Sequence, residues 1–162
     1  MLAQRPASGY DLLRTFQTSL ANVWPATQSQ MYGELGRMTD AGLLAVSAEG
    51  PRGRKEYTIT GTGKDELHDW LVSVEPSRPT RSDMLLRVFF LDRISPEEAR
   101  DYLARQGKQA AERYAALRSL EESIDWGDDP LSAYGRVAME YGLRVSAAQR
   151  EWAEWAVEQL KT

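Results

Sequence analysis

The chain contains no cysteine, which excludes disulfide bonds, thiolate metal sites and cysteine nucleophiles. Its one histidine, His68, has no cysteine or paired serine motif near it, so an enzymatic function is poorly supported. No apolar run approaches the roughly 18 residues of a membrane-spanning helix, and the N-terminus lacks a signal-peptide pattern. We therefore expect a cytoplasmic protein without metal, cofactor, membrane contact or catalytic activity.

The composition is that of an ordinary globular protein, with 162 residues, 27% of them charged and 42% hydrophobic. This length allows one domain or two small ones. The net charge of −4 argues against indiscriminate binding to nucleic acid, because nonspecific affinity comes from a positive field. The cations Arg52, Arg54 and Lys55 nevertheless fall within four positions, so a localised basic tip is predicted.

Two short helices are predicted near the N-terminus, with a turn at residues 21–26 between them. Ser8 and Asp11 form a capping-box-like start for the first helix, and Leu12, Leu13, Phe16 and Leu20 supply its apolar stripe. Residues 1–6 are too short to be more than the last turn of a preceding helix. Such a pair is typical of a helix-turn-helix, although many all-α proteins share the spacing.

The second of these helices carries the candidate DNA-reading side chains. Thr27 is suited to cap its start after Pro25, and Gly42 is suited to end it. Its inward stripe is Met31, Leu35 and Met38. The polar residues that remain can read base edges or grip phosphates, and they are Gln28, Ser29, Gln30, Tyr32 and Arg37. The alternative is the solvated face of any amphipathic helix.

A β-hairpin is predicted next, from strand-like residues 43–48 and 56–60 and a turn at 50–54 that is rich in glycine and proline. The tip holds Arg52, Arg54 and Lys55. A surface hairpin with scattered charge is the alternative. The order helix, helix, basic hairpin is nevertheless that of a winged helix-turn-helix, so we expect residues 1–75 to form a DNA-binding domain.

A third helix follows the hairpin, capped by Thr60 or Thr62, with a solvated His68 beside an apolar stripe. That stripe is Leu67, Trp70, Leu71 and Val74. Residues 75–80 contain two prolines and form a linker, so a second domain is predicted over residues 81–162.

The second domain is predicted to be all helix. Residues 82–93 are apolar all round, which predicts a sandwiched helix, and Ser95 with Glu98 starts a helix to about Ile124. A last helix starts near Pro130. Both long helices carry a 3.5-residue repeat, at 99, 103, 106, 110, 113, 117, 120 and 124 and at 134, 138, 141, 145, 148, 152, 155 and 159.

Two seams of this length need partners, so we interpret the helices as an antiparallel coiled pair that forms a homodimer. A monomeric hairpin folded back on its own DNA-binding domain is the alternative. Aromatic residues cluster in this domain and could wall a pocket for a flat apolar effector, unless they are plain core. They are Trp126, Tyr134, Tyr141, Trp152 and Trp155.

Five segments together resemble the PadR family of bacterial transcriptional regulators. Residues 8–12 have the family's small, Gly-Tyr, acidic start of a helix, and residues 31–35 and 38–43 resemble its recognition-helix block. Residues 53–60 resemble its wing. Residues 83–90 resemble the start of its C-terminal helical domain. They cover nearly the whole chain in the family's order. The family normally has a complete first helix where this chain has only residues 1–6.

The resemblance implies a dimer that binds a near-palindromic double-stranded operator, usually as a repressor, with release by a small aromatic or drug-like molecule. It places the DNA contacts on Gln28, Ser29, Gln30, Tyr32 and Arg37 and on the wing residues Arg52, Arg54 and Lys55. The alternative function is a protein-interaction adaptor whose winged domain no longer binds DNA.

Overall fold

The computed structural model of the protein describes residues 1–19, 26–49, 54–76 and 81–160. The chain divides into two compact units, Met1–Arg78 and Pro79–Thr162. It is mainly helical with one small antiparallel sheet, which confirms the predicted fold class. None of the helices in the described ranges combines the length and apolar character that crossing a membrane requires.

The described part of the first unit contains three helices and three strands. In chain order these are β1 (Ala7–Ser8), α1 (Gly9–Ser19), α2 (Gln28–Asp40), β2 (Leu44–Glu49), β3 (Lys55–Ile59) and α3 (Gly61–Ser73). The strand order is β1-β3-β2, so β3 lies in the centre, with Ala7 opposite Tyr57 and Val46 opposite the same tyrosine on its other side. The core is Leu12 from α1, Leu35 from α2 and Leu44 from β2, with Met31 and Ile59 packed against it.

The turn, cap and strand patterns in the sequence predicted most of these elements correctly. The predicted hairpin strands are within one residue of β2 and β3, and Gly42 has the positive φ of 72° that a left-handed helix stop requires. Thr60 is the residue that caps α3, and the side chain of His68 is 74% exposed, as expected of a solvated histidine. Strand β1 was not expected, because two residues carry no alternation that a sequence could reveal.

The apolar stripe expected on α3 is mostly not buried. Trp70, Leu71 and Val74 are all exposed, and Leu67 is half-buried. A groove of about 310 Å³ lies beside this helix, lined by Met1, Leu67 and Trp70 among other residues. The helix is therefore held mainly at its first turn, where Gly63 is buried. Met38, expected to face inward from α2, also lines this groove and is partly exposed.

The second unit contains the long helical hairpin. Its elements are α4 (Asp83–Val88), a 3₁₀ turn (Leu91–Arg93), α5 (Pro96–Ser123) and α6 (Pro130–Gln159). Ser95 and Glu98 form the expected capping box, and Asp129 caps α6. The α5 seam is confirmed in part: Ala99, Leu103, Ala110 and Leu117 are buried, whereas Arg113 is exposed and Gly107 is buried in place of Gln106.

The single helix expected over residues 82–93 is wrong in its bounds, and within the described part of this unit its side chains are not sandwiched. Helix α4 ends at Val88, and Leu85, Leu86, Phe89 and Phe90 are exposed, because the described part of this unit covers only one side of them. Phe89 is 83% exposed.

The seam predicted for α6 is also not the one that packs on α5. The buried residues of α6 are Leu143, Ser146, Ala153 and Ala156, whereas Tyr134 and Tyr141 from the predicted seam are 75% and 72% exposed. Helix α6 therefore has two apolar faces, and the aromatic one is open. We call the residues Tyr134, Val137, Tyr141 and Trp155 the open stripe.

Candidate nucleic-acid interface

The first turn of α2 is fixed by its own side chains. The side-chain oxygen of Gln30 accepts a hydrogen bond from the Thr27 amide at 2.8 Å, and the Gln30 amide donates to the Thr27 hydroxyl at 3.3 Å. This reciprocal capping box satisfies two backbone donors. The carbonyl end of the Gln30 side chain is thus occupied, and only its amino group is left for a base or phosphate.

Gln28 and Ser29 occupy the same turn and are exposed, with no bonded partner within the described residues. Arg37, near the other end of α2, forms an ion pair with Glu34 one turn earlier. Its side chain is exposed, so the pair is weak and the guanidinium can exchange Glu34 for a phosphate.

Tyr32 packs against the start of α1. The Cα of Gly9 lies under the Tyr32 ring, and a Cβ at that position would stand 2.6 Å from Cε1 of the ring. A larger residue at position 9 would require the Tyr32 ring to move. The ring lies against the start of α1, and its half-exposed position leaves the hydroxyl edge near the surface. Both residues lie in segments that resemble the family's motifs, but the sequence did not predict that they contact each other.

The wing cation Arg54 reaches back to α1. Its Nη2 donates to Oδ2 of Asp11 at 2.7 Å across 43 positions of sequence. The same carboxylate oxygen accepts from the Ser8 hydroxyl at 2.6 Å. These donors, Ser8 foremost, hold the pKa of Asp11 below its ordinary value, so the carboxylate is charged at neutral pH.

The start of α1 thus joins the two predicted contact surfaces. Gly9 packs against Tyr32 of α2, and Asp11 forms an ion pair with Arg54 of the wing. Ser8 pairs with Glu56 of β3 in the sheet. Asp11 was recognised in the sequence only as part of a helix start. Its ion pair had no local signal, because the partner lies in a hairpin that only the fold brings near.

The remaining wing predictions differ in outcome. Lys55 begins β3 and is exposed, with no ion pair within the described ranges. Arg52 lies outside the described residues, as do Trp24 and Pro25 before α2.

The five aromatic residues named as effector candidates are not gathered into one closed pocket within the described residues. Trp126 closes the corner before α6: its indole donates to the Glu121 carbonyl at 3.1 Å, and the Arg136 guanidinium lies 5.7 Å from its ring centre. Tyr134, Tyr141 and Trp155 project along the open stripe, and Trp152 is half-buried.

Comparison with known proteins gives matches over both units. Residues 1–69 match the model of the transcriptional regulator PadR-like family, and residues 80–161 match that of the virulence activator alpha C-terminal region. The negative transcriptional regulator PadR of Bacillus subtilis is 30% identical over 155 residues, which cover 93% of this chain and 85% of that protein.

Solved structures of Bacillus subtilis PadR share the fold. Its complex with operator DNA aligns with a TM-score of 0.83 at 27% identity, and its complex with p-coumaric acid with a TM-score of 0.86 at 28% identity. Each alignment covers 99% of this chain and 94% of the other.

Proposed function

The chain belongs to the PadR family of transcriptional regulators, and from this premise we propose that it is a homodimeric repressor that binds operator DNA through α2 and the wing. As a DNA-binding regulator it acts in the cytoplasm, on double-stranded DNA. The observation that carries the proposal is the exposed pair Gln28 and Ser29, which have no hydrogen-bond partner within the described residues and lie on a first turn whose backbone is already capped. A rigid turn with free polar side chains suits contacts to base edges and phosphates.

The wing supplies the sequence-independent part of this interaction. Arg54 and Lys55 are adjacent and exposed in a chain of net charge −4, so they concentrate positive charge at the wing. Such cations release counterions from the phosphate backbone and make binding salt-dependent.

The open stripe of α6 supports the homodimer. Large aromatic side chains on one face of a 30-residue helix, opposite the face that α5 covers, fit an interface between two copies. A two-fold dimer would present two copies of α2 to two half-sites.

The effector belongs to the same proposal. Bacillus subtilis PadR has been solved with p-coumaric acid. We propose that a small aromatic acid of this kind relieves repression here, with Trp126, Tyr134, Tyr141, Trp152 and Trp155 as the candidate wall.

Mobility-shift titrations at several salt concentrations test the DNA contacts, with genomic fragments that the protein itself has enriched. Arg54→Ala should weaken binding to all fragments by a similar factor and lower the salt slope by about 1. Gln28→Ala should instead change the order of preference among fragments, with about 1–3 kcal/mol at the affected base pair. Gln109→Ala, at an exposed position of α5, is the matched control and should change neither.

The same titration tests the alternatives. If neither substitution alters DNA binding, the assignment of this face is wrong, and if no fragment is enriched, the adaptor function is favoured. Addition of p-coumarate to the complex should release DNA and quench tryptophan fluorescence. Unchanged fluorescence together with unchanged binding would contradict the effector proposal.

A further inference from the structure

We propose that Asp11 is an intramolecular competitor of DNA: it occupies the guanidinium of Arg54 in the free protein and thereby lowers the sequence-independent affinity for DNA. This inference rests on the proposed DNA-binding function and adds an affinity-setting residue to it. Its basis is the ion pair that joins the wing to the start of α1.

The carboxylate is held in place before any DNA arrives. Asp11 Oδ2 accepts from the Ser8 hydroxyl at 2.6 Å, and the Ser8 Oγ accepts from the Asp11 amide at 3.2 Å. Ser8 itself is only 2% exposed and pairs in the sheet through β1. An acceptor anchored in this way loses little conformational entropy when it binds Arg54, so it competes well with a mobile phosphate.

The guanidinium remains accessible to that competitor. The Arg54 side chain is 64% exposed although its Nη2 contacts Asp11 at 2.7 Å. Carboxylate and phosphate present the same oxygen geometry to a guanidinium, and both form charge-assisted hydrogen bonds with it. A phosphate that binds at Nη2 therefore has to displace Asp11, and one that binds the other guanidinium donors is held beside the Asp11 carboxylate.

Displacement has a second cost beyond the lost pair. Once Arg54 turns to a phosphate, Asp11 is left as an unpaired anion beside the polyanionic backbone. Like charges repel, and the repulsion weakens as salt rises. Lys55, the adjacent wing cation, has no such partner within the described residues, so it contributes to affinity without this penalty.

The substitution Asp11→Asn removes the negative charge of the side chain and keeps its shape. Asparagine keeps the size and an acceptor oxygen for Ser8, and Ser8 continues to cap the Asp11 amide, so α1 should start as before. We expect about 3- to 10-fold tighter binding to operator and unrelated DNA alike at low salt, narrowing as salt rises. In an Arg54→Ala background, the fold-increase in DNA affinity caused by Asp11→Asn should be less than half of that measured in the wild-type background.

Asp65→Asn is the matched control, since this exposed aspartate of α3 makes the same change in net charge and has no ion pair within the described ranges. It should change DNA affinity less than 2-fold. Circular dichroism melts of each variant check that the fold is retained.

The outcomes are distinct. If Asp11→Asn binds no tighter than wild type, or tightens no more than Asp65→Asn, Asp11 only positions Arg54 or adds to overall charge, and the inference is wrong. If the wild type and Arg54→Ala both bind no DNA, the proposed function fails and this inference fails with it.

Discussion

At the scale of single residues, Gly63 lies where the first turn of α3 meets the turn that follows α2. Thr60 donates from its hydroxyl to the carbonyls of Gly42 and Leu43, at 2.7 and 3.0 Å, and its amide donates to the Leu43 carbonyl at 3.0 Å. A Cβ on Gly63 would overlap the Leu43 carbonyl oxygen and approach the Ile59 side chain to 2.8 Å. The glycine is required by this close approach of two backbones.

We expect Gly63→Ala to destabilise the first unit by roughly 3 kcal/mol, because the overlapping atom belongs to the backbone and cannot rotate away. Gly61→Ala, two residues earlier, is the matched control, as a Cβ there meets nothing within 4 Å. It should be neutral or stabilise by about 0.4–1 kcal/mol. Urea unfolding gives both values, and equal effects of the two substitutions would contradict the role assigned to Gly63.

Residue contacts that cross the fold were the least predictable from sequence. The Tyr32–Gly9 and Arg54–Asp11 contacts each join residues from different elements, so no spacing rule relates them. The types of residue were informative, since a basic wing tip and a polar helix face were both expected, but their internal partners were not.

At the scale of elements, the caps were predictable because every participant lies within four positions. Thr27 with Gln30, Thr60 with Gly63 and Ser95 with Glu98 form the hydrogen bonds that their spacing suggests. The faces of α6 were not predictable, because both are apolar and periodicity cannot tell which one α5 will cover.

The α2 cap has a measurable consequence. We expect Thr27→Ala to cost about 1 kcal/mol of unfolding free energy, because the backbone amide of Gln30 then loses its hydroxyl acceptor. DNA binding should also weaken as the first turn frays, although Thr27 itself need not touch DNA. Thr27→Ser keeps the hydroxyl and should restore both stability and binding. If the serine variant behaves like the alanine variant, the hydroxyl is not the cause.

At the scale of the whole molecule, the proposed homodimer depends on the open stripe of α6. Tyr141 lies at its middle and is exposed in the single chain, so a charge there leaves the α5–α6 packing intact. We expect Tyr141→Asp to weaken self-association at least 10-fold, measured by sedimentation equilibrium, with unchanged helical content. Buried charge at an interface without a partner is the reason.

Gln109→Asp provides the comparison, because it adds the same carboxylate to an exposed position of α5 rather than to the open stripe of α6. It should leave association unchanged. A wild-type protein that sediments as a monomer would instead support the hairpin that folds back on its own first unit.

The capping box of α2 also limits how this protein could be re-engineered. Gln28, Ser29 and Gln30 are adjacent and all polar, yet Gln30 closes the box with Thr27 while the other two do not. If Gln28 and Ser29 were randomised, selection for DNA binding would separate the variants by their base preference alone. If Gln30 were randomised as well, the selection would also remove variants whose α2 no longer starts correctly. New operator preferences are therefore best sought at the first two positions.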